Sequence, residues 1–497
     1  MAIMAQVSPV SVRWTPALAT GLVALVLFAQ RMTASINEFD GGISSSAATF
    51  TLHGLLPYRD YWLLYGPLSG YALAVPTALV GPSVELTRLC GLIVIAAQAA
   101  IGYAIASRWA PRAASFLIAI AASSFVPILI GLELSAWPLA MLLALSGLWV
   151  LGWTRASAVI GGCLIGLAFL SRLDVGAYAL LAALAFRDRK IVFATFLVFA
   201  LPFAAFTLLT TPVEAVVEQL IWYPLVGPRV FRGLPDIAST LPPVSAFLLS
   251  IPLMLLPRTM ILVSVIRIVV SRPIDRALIG LTVFAALCQI QTLGRADAQH
   301  FALAAMPAIL LLAPFVRRQQ KNAASFALLA GSVTVCLAIP IAVVASGVFA
   351  VPQERDATLI QAVQATRMVT ATSDPIFVGL TRTRYAFTNS LIAYYLADRR
   401  PGTAETMFNP GITNSDATQR KIVAELQRTQ TDFLLLDEAV SDKFEPQNES
   451  RIPGSTILDE FVASEYGTMC VFGDYRVMAK LGTDRAVPPC PDPRGRP

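Results

Sequence analysis

The run Val84-Glu-Leu-Thr-Arg-Leu-Cys-Gly-Leu-Ile-Val-Ile-Ala-Ala-Gln-Ala-Ala-Ile-Gly-Tyr-Ala-Ile-Ala106 matches the ~20 mainly apolar residues that a helix needs to cross bilayer hydrocarbon. Working outward, comparable runs occupy 14–31 before it and 113–131, 135–153, 156–171, 174–187, 191–210, 244–270, 277–293, 300–316 and 324–350 after it. Hydrophobic residues make up 56% of the chain and charged residues 14%. A soluble domain carries roughly 25% charge, and the mean hydropathy of +0.67 points the same way. The sequence therefore predicts a mainly α, polytopic membrane protein with about eleven transmembrane helices. From Pro352 onward acids, bases, Asn and Thr return at ordinary density. That shift sets the expected domains at 1–350 in the membrane and 351–497 as a soluble α/β domain.

Basic loops orient the bundle, because cytoplasmic loops are enriched in Lys and Arg. With eleven spans, one side receives Arg13, Arg108 and Arg112, Arg155, Arg187 with Arg189 and Lys190, Arg267 with Arg272 and Arg276, and Arg317 with Arg318 and Lys321. The opposite side receives 32–83, Glu133, Arg172 and Asp174, 211–243, 294–299 and the C-terminal domain. Runs 156–171 and 174–187 are each short, with Ser171-Arg172-Leu173-Asp174 between them. Read as one span, they would send the later basic clusters to the wrong side.

The N-terminal apolar run 17–29 is followed by Gln30, Arg31 and Met32 with no small-x-small cleavage site, so it is expected to be a retained span. The net charge of +6 and pI near 9.1 do not imply nucleic acid, because the bases lie in short clusters between apolar runs and form no continuous face. Cys90, Cys163, Cys288 and Cys336 fall in apolar runs and read as small hydrophobes. Cys470 and Cys490 lie in the tail, where pairing is open to them if that side is oxidising. The two histidines and the absence of CxxC leave no diagnostic metal-ligand spacing.

Segment 67–80 is apolar but too short to cross, and reads as a helix lying at the outer interface. Tyr58, Tyr61, Trp62, Tyr65 and Tyr71 beside it fit an aromatic belt. In the tail, 375–379 and 433–437 read as buried strands, 386–397 and 417–428 as helices, and 468–481 as a hairpin around Gly473-Asp474.

The chemistry-bearing stretch is the first outer loop. Asn37-Glu38-Phe39-Asp40-Gly41-Gly42 places two carboxylates just outside the first span on a bendable backbone. A solvated acidic loop and a general base for a hydroxyl acceptor both fit those residues.

Asp40-Gly41-Gly42, Pro57-Tyr58-Arg59-Asp60, Tyr65-Gly66-Pro67 and Gly81-Pro82-Ser83 with Arg88 resemble the first-loop pattern of the GT-C glycosyltransferases. The resemblance covers roughly 14–320 and is nearest the bacterial branch that includes lipid A aminoarabinose and galacturonic acid transferases and protein O-mannosyltransferases. It implies a multi-pass enzyme of the bacterial inner membrane that takes a sugar from a polyprenyl-phosphate donor. The acceptor would be a glycan, lipid or protein outside the cytoplasm. It also implies Asp40 as catalytic base, with Glu38 and Asp60 as further catalytic candidates. Glu133, in Gly131-Leu132-Glu133-Leu134, matches a second acid, and an acid this close to hydrocarbon is a functional candidate. Arg172 and Asp174 match a charged break in a helix hairpin. Gly294-Arg295-Ala296-Asp297-Ala298-Gln299-His300 is similar to the family's Arg-x-Asp-x-x-His segment. Some relatives use a divalent metal, which leaves the cofactor open.

The reaction itself asks for arginines beside acids. A polyprenyl phosphosugar gains a second phosphate charge when the sugar leaves, so fixed cations favour the transition state over the ground state. Arg59, Arg172, Arg232 and Arg295 are the outer-side candidates, since the guanidinium fork matches phosphate oxygens and keeps its proton. Tyr58, Tyr65, Asp174, Asp297 and His300 are candidates for binding substrate, and loop 211–243 for covering it. Two rival readings are a transporter or flippase of lipid-linked sugars and a non-catalytic envelope-assembly protein. A transporter predicts matching half-repeats with broken midplane helices, and no such halves are visible.

Overall fold

The computed structural model describes residues 14–151, 154–226, 254–270, 275–294, 298–316, 338, 354–384, 388–409, 413–438, 454–483 and 490. Residues 244–253 of the expected span 244–270 and all of 324–350 except Ala338, together with Arg232, Arg295 and Asp297, lie outside the described residues.

The N-terminal part is helical: α1 Trp14–Ala29, α2 Asp40–Leu52, α3 Leu68–Val80, α4 Val84–Ala106, α5 Arg112–Leu129 and α6 Ala136–Val150. Then follow α7 Arg155–Ser171, α8 Leu173–Ala183, α9 Arg189–Thr210, α10 Leu256–Val270, α11 Arg276–Cys288 and α12 Ala298–Leu310. Start signals are local. Ser83 Oγ accepts from Leu86 N–H at 3.1 Å to cap α4, Thr154 and Ser157 form a capping box on α7, and Asp275 caps α11 through Ala277 and Leu278. Between α7 and α8 the backbone at Arg172 becomes extended, φ −151° and ψ 113°. That one residue ends one helix and begins the next, so the segment from 155 to 183 is a pair of helices.

Among the described residues three helices are long and apolar enough to cross a membrane: Trp14–Thr33, Val84–Ala106 and Arg189–Thr210. Seven more apolar helices are shorter, among them Arg112–Ile128, Ala136–Val150, Arg276–Thr292 and His300–Val316. Leu18, Leu22 and Val26 of α1 and Val198, Leu201 and Leu209 of α9 are exposed. Apolar faces of this kind require a lipid rather than an aqueous solvent. This is a membrane protein.

The bundle has two distinct ends. At the basic end Trp14 stacks edge-on with Trp149 at 5.0 Å, Arg108 donates to the Trp149 carbonyl, and Trp109 Nε1 donates to Asp275 at 2.7 Å. The last turn of α1, the first of α4 and the first of α6 meet at the opposite end. There Arg31 donates to Pro127 O at 3.2 Å, Leu134 N–H to Thr87 O at 3.0 Å, and Ser171 Oγ to Ala136 O at 2.9 Å.

The C-terminal segment contains α13 Glu354–Val369, β1 Ile376–Leu380, α14 Ile392–Ala397, α15 Asp416–Arg428, β2 Phe433–Asp437, α16 Ile457–Glu465, β3 Tyr466–Phe472 and β4 Tyr475–Lys480. Its sheet runs β1-β2-β4-β3, parallel between β1 and β2 and antiparallel elsewhere. Cys470 and Cys490 are joined by a disulfide. The period-2 alternation of strand side chains divides the burial. Phe377, Leu434 and Leu436 pack with Ile422 and Leu426 of α15. Ile376, Val378, Phe433 and Leu435 face a second core shared with Ile43, Phe50, Trp62 and Leu73 of the first-loop segment.

That shared core corrects the reading of 32–83 as a loop. Gly41 through Phe50 of α2 are buried, and the glycines serve close approach, not bending. A Cβ on Gly41 would stand 2.7 Å from Glu133 Cβ, and one on Gly42 would stand 2.9 Å from Leu391 Cβ and collide with the Ile392 nitrogen. Helix α3 keeps an exposed apolar edge at Tyr71, Val75 and Leu79 over a buried one at Leu73, Ala74 and Thr77.

Candidate active site

Asp40 is the first residue of α2, where a carboxylate meets the favourable end of the helix dipole. Its N–H donates to Asn37 Oδ1 at 3.0 Å, a short side-chain turn of the kind Asn favours. Asn37 is itself fixed to the bundle, because its Nδ2 donates to Ile130 O at 2.7 Å. The acid therefore sits on a segment held from both sides, by the bundle beneath and by the C-terminal segment beside it.

Glu38, Glu133 and Asp60 are each committed to partners. Glu38 accepts from Arg355 Nε at 2.7 Å, from Tyr475 OH at 2.7 Å and from Ser390. Glu133, whose side chain is 1% exposed, pairs with Arg88 at 2.9 Å. Arg88 also donates to Met32 O at 2.6 Å and Ala34 O at 2.7 Å. Asp60 pairs with Arg59 at 2.7 Å and accepts from Leu56 N–H at 2.8 Å. Burial pushes the Asp60 carboxyl up, but the Arg59 hydrogen bond, the Leu56 N–H and the Arg59 charge outweigh it and hold it below the usual range. Arg59 is spent on that exposed pair.

Tyr58 is 3% exposed, sits at φ +66° and donates its hydroxyl to Tyr65 O at 2.7 Å. Gln219 Nε2 donates to the Tyr58 carbonyl at 3.0 Å and its Oε1 accepts from Leu63 N–H at 2.9 Å. Tyr58 thus shapes the turn from within. Burial, foremost, and then Tyr61 and Tyr71 push its hydroxyl well above the ordinary tyrosine value.

The helix break presents a different arrangement. Arg172 Nε donates to Asp174 Oδ1 at 2.9 Å, and its guanidinium lies over the Tyr65 ring at 4.8 Å. Gln291 Nε2 donates to Asp174 Oδ2 at 2.8 Å, and Trp137 Nε1 donates to Gln291 Oε1 at 3.0 Å. Among the described residues neither Nη nitrogen of Arg172 has a hydrogen-bond partner. Gly66 makes this possible, since a Cβ there would overlap the Leu170 carbonyl. The chain can then lay Tyr65 against the end of α7. Next to it Leu170, Pro67, Leu68, Phe203 and Phe206 line an apolar groove of about 430 Å³ between the first-loop segment and α9.

His300 stands in the first turn of α12. Asp40 and Arg172 flank one element: Gly41 abuts Glu133 just before α6, and Ser171 bonds the first residue of α6. Sequence reading missed Gln291, Trp137, Arg355, Ser390 and Tyr475. Gln291, an amide within an apolar run, carried a signal, and the others carried none. Among the described residues no cluster of three or more His, Cys, Asp or Glu side chains is disposed to hold a metal ion.

The fold has clear relatives among solved structures. ArnT from Cupriavidus metallidurans bound to undecaprenyl phosphate superposes with a TM-score of 0.56 at 12% identity, over 94% of this chain and 98% of that one. Its apo state gives 0.56 at 12% identity over 93% and 97%. The chain shares its overall fold with ArnT. The mycobacterial arabinofuranosyltransferase AftD (mutant R1389S, class 2) also matches, with a TM-score of 0.47 at 14% identity over 93% of this chain and 41% of its own length. No protein-family model and no curated protein matches the sequence.

Proposed function

We propose that this chain is a membrane glycosyltransferase that moves a sugar from a polyprenyl-phosphate donor to an acceptor hydroxyl outside the cytoplasm. The observation that carries the reading is the Arg172 guanidinium, whose two Nη nitrogens have no hydrogen-bond partner among the described residues, two positions along the chain from Leu170 in the wall of an apolar groove, on a GT-C-like fold. A phosphate on an isoprenoid tail asks for that pairing of an arginine fork and an apolar channel. ArnT, which shares the fold, was captured with undecaprenyl phosphate.

Asp40 takes the proton of the acceptor hydroxyl as its oxygen attacks the anomeric carbon. The bond from that carbon to the phosphate oxygen breaks, and the polyprenyl phosphate departs with its second negative charge. Arg172 meets that charge, which is larger in the transition state than in the bound donor. A single displacement inverts the anomeric centre. Asp174 holds Arg172 in place and Gln291 holds Asp174. Glu38, Asp60 and Glu133 maintain the architecture around Asp40. Arg232, Arg295, Asp297 and His300 remain candidates on the same side.

In this reading 1–350 forms about eleven spans in the bacterial inner membrane, and 351–497 lies on the periplasmic side, where the Cys470–Cys490 disulfide suits an oxidising compartment. The acceptor is a glycan, lipid or protein of the envelope. The test is transfer by the purified chain in vesicles with a native envelope lipid extract as donor pool. Wild type should release free polyprenyl phosphate on addition of acceptor fractions, and Arg172→Gln should not. Equal release by both would reject the assignment of the phosphate site.

A further inference from the structure

The segment bearing Asp40 is gripped by the C-terminal segment chiefly at Glu38. Arg355, in the first turn of α13, donates from Nε to Glu38 Oε1 at 2.7 Å and from Nη2 to Glu38 Oε2 at 3.2 Å. The same guanidinium pairs with Asp437 and, at 3.0 Å, with Asp474, and lies over the Tyr475 ring at 4.9 Å. Tyr475 OH and Ser390 Oγ both donate to Glu38. Two bonds made by backbone N–H groups flank the pair: Ile36 N–H to the Asp356 carboxylate Oδ2 at 3.1 Å and Ile392 N–H to the Glu38 carbonyl at 2.9 Å. Residues 36–38 are thus held by the head of α13, by the turn before α14 and by the ends of β2 and β4.

We propose that Arg355 is a positioning residue for the transfer reaction: by clamping Glu38 it sets where α2 begins, and so where Asp40 stands. The inference rests on the reading of Asp40 as the base. One cation holds three carboxylates from separate parts of the chain, so its removal frees Glu38 and leaves Asp437 and Asp474 facing it. Without the clamp the 36–40 segment keeps its neutral bonds from Tyr475, Ser390 and Ile392, the Ile36 bond to Asp356 and its Asn37 anchor to the bundle, but loses the one cation that pairs with Glu38. The fold survives because the core shared by α2 and the C-terminal segment is separate and apolar. Proton transfer suffers because a general base must lie within hydrogen-bond reach of its proton.

The experiment uses the full chain in detergent or nanodiscs, with Arg355→Gln and Glu38→Gln beside wild type. Arg476→Gln serves as control, since it removes an ion pair of β4 (Nε to Glu438 at 3.0 Å) that does not touch residues 36–42. Two quantities are read: amide hydrogen exchange over residues 36–45, and kcat and KM for the lipid donor. Both test variants should exchange faster at 38–43 with the rest of the bundle still protected. Their kcat should fall about 10- to 100-fold, as expected for a misplaced group, with donor KM little changed. The control should behave as wild type. Unchanged exchange, or faster exchange with unchanged kcat, overturns the proposal. Were the wild-type chain itself to transfer no sugar, the glycosyltransferase reading would fall. The exchange data would still decide whether Arg355 holds the segment.

Discussion

Arg88 and Glu133 form a buried ion pair, Nε to Oε1 at 2.9 Å, where α4 passes the entry to α6, and the same arginine holds the carbonyls of Met32 and Ala34. One guanidinium therefore ties three chain segments together below Asp40. Removing one partner of a buried pair leaves the other charge stranded, at a cost of about 3–5 kcal/mol. Glu133→Gln and Arg88→Leu should each lower the thermal unfolding temperature of the purified protein clearly. Replacing Glu438, which makes an exposed pair with Arg476, should shift it little, in keeping with the ~0–1 kcal/mol of surface pairs. A Glu133→Gln protein of full stability but no activity would instead place Glu133 in the chemistry.

Arg172 provides the direct test of donor binding. Losing charge-assisted hydrogen bonds of about 1.5–3 kcal/mol corresponds to roughly 10- to 150-fold in affinity. Arg172→Gln should weaken undecaprenyl phosphate binding by that factor, measured by native mass spectrometry. Arg172→Lys should recover only part of it, since an ammonium lacks the planar fork.

The apolar groove can be tested separately from the charge. Phe203 and Phe206 lie on its α9 wall. Replacing both with Trp narrows it. Discrimination should then move toward short-chain polyprenyl phosphates, with water-soluble sugar phosphates unaffected, as measured by competition among lipids of different length.

Asp60 supplies the pH dependence. Its folded-state carboxyl titrates below the usual value, so folding favours the ionised form. The stabilisation is fully present above the unfolded carboxylate value of about 3.9 and is lost as pH falls through the lower folded value. Stability of wild type and Asp60→Asn should therefore converge as pH is lowered through that window. A gap that widens on acidification would contradict the sign.

The three long helices Trp14–Thr33, Val84–Ala106 and Arg189–Thr210 were legible because hydrocarbon demands long uninterrupted apolar runs, and the sequence from 155 to 187 shows its break at Arg172 in plain polar residues. The strands at 376–380 and 433–437 were legible as short buried runs. Helix α2 was not, since Asp40-Gly-Gly-Ile-Ser-Ser-Ser-Ala-Ala-Thr-Phe-Thr-Leu52 is rich in residues of poor helix propensity. Tertiary packing forms it, with the Ser44 hydroxyl bonded to that of Ser69 at 2.8 Å and the Ser45 hydroxyl to that of Thr87 at 3.3 Å. The Arg355–Glu38 clamp joins positions 317 residues apart, a separation at which no local pattern speaks.

In the proposed reaction the Asp40 carboxylate removes the acceptor proton. Mass analysis of envelope lipids and glycans should be made in cells lacking the gene and in cells restored with wild type or Asp40→Asn at equal membrane abundance. A general base contributes about 10²–10⁴-fold, so wild type should restore one missing sugar modification and Asp40→Asn should leave it near absent. Full restoration by Asp40→Asn would contradict the account.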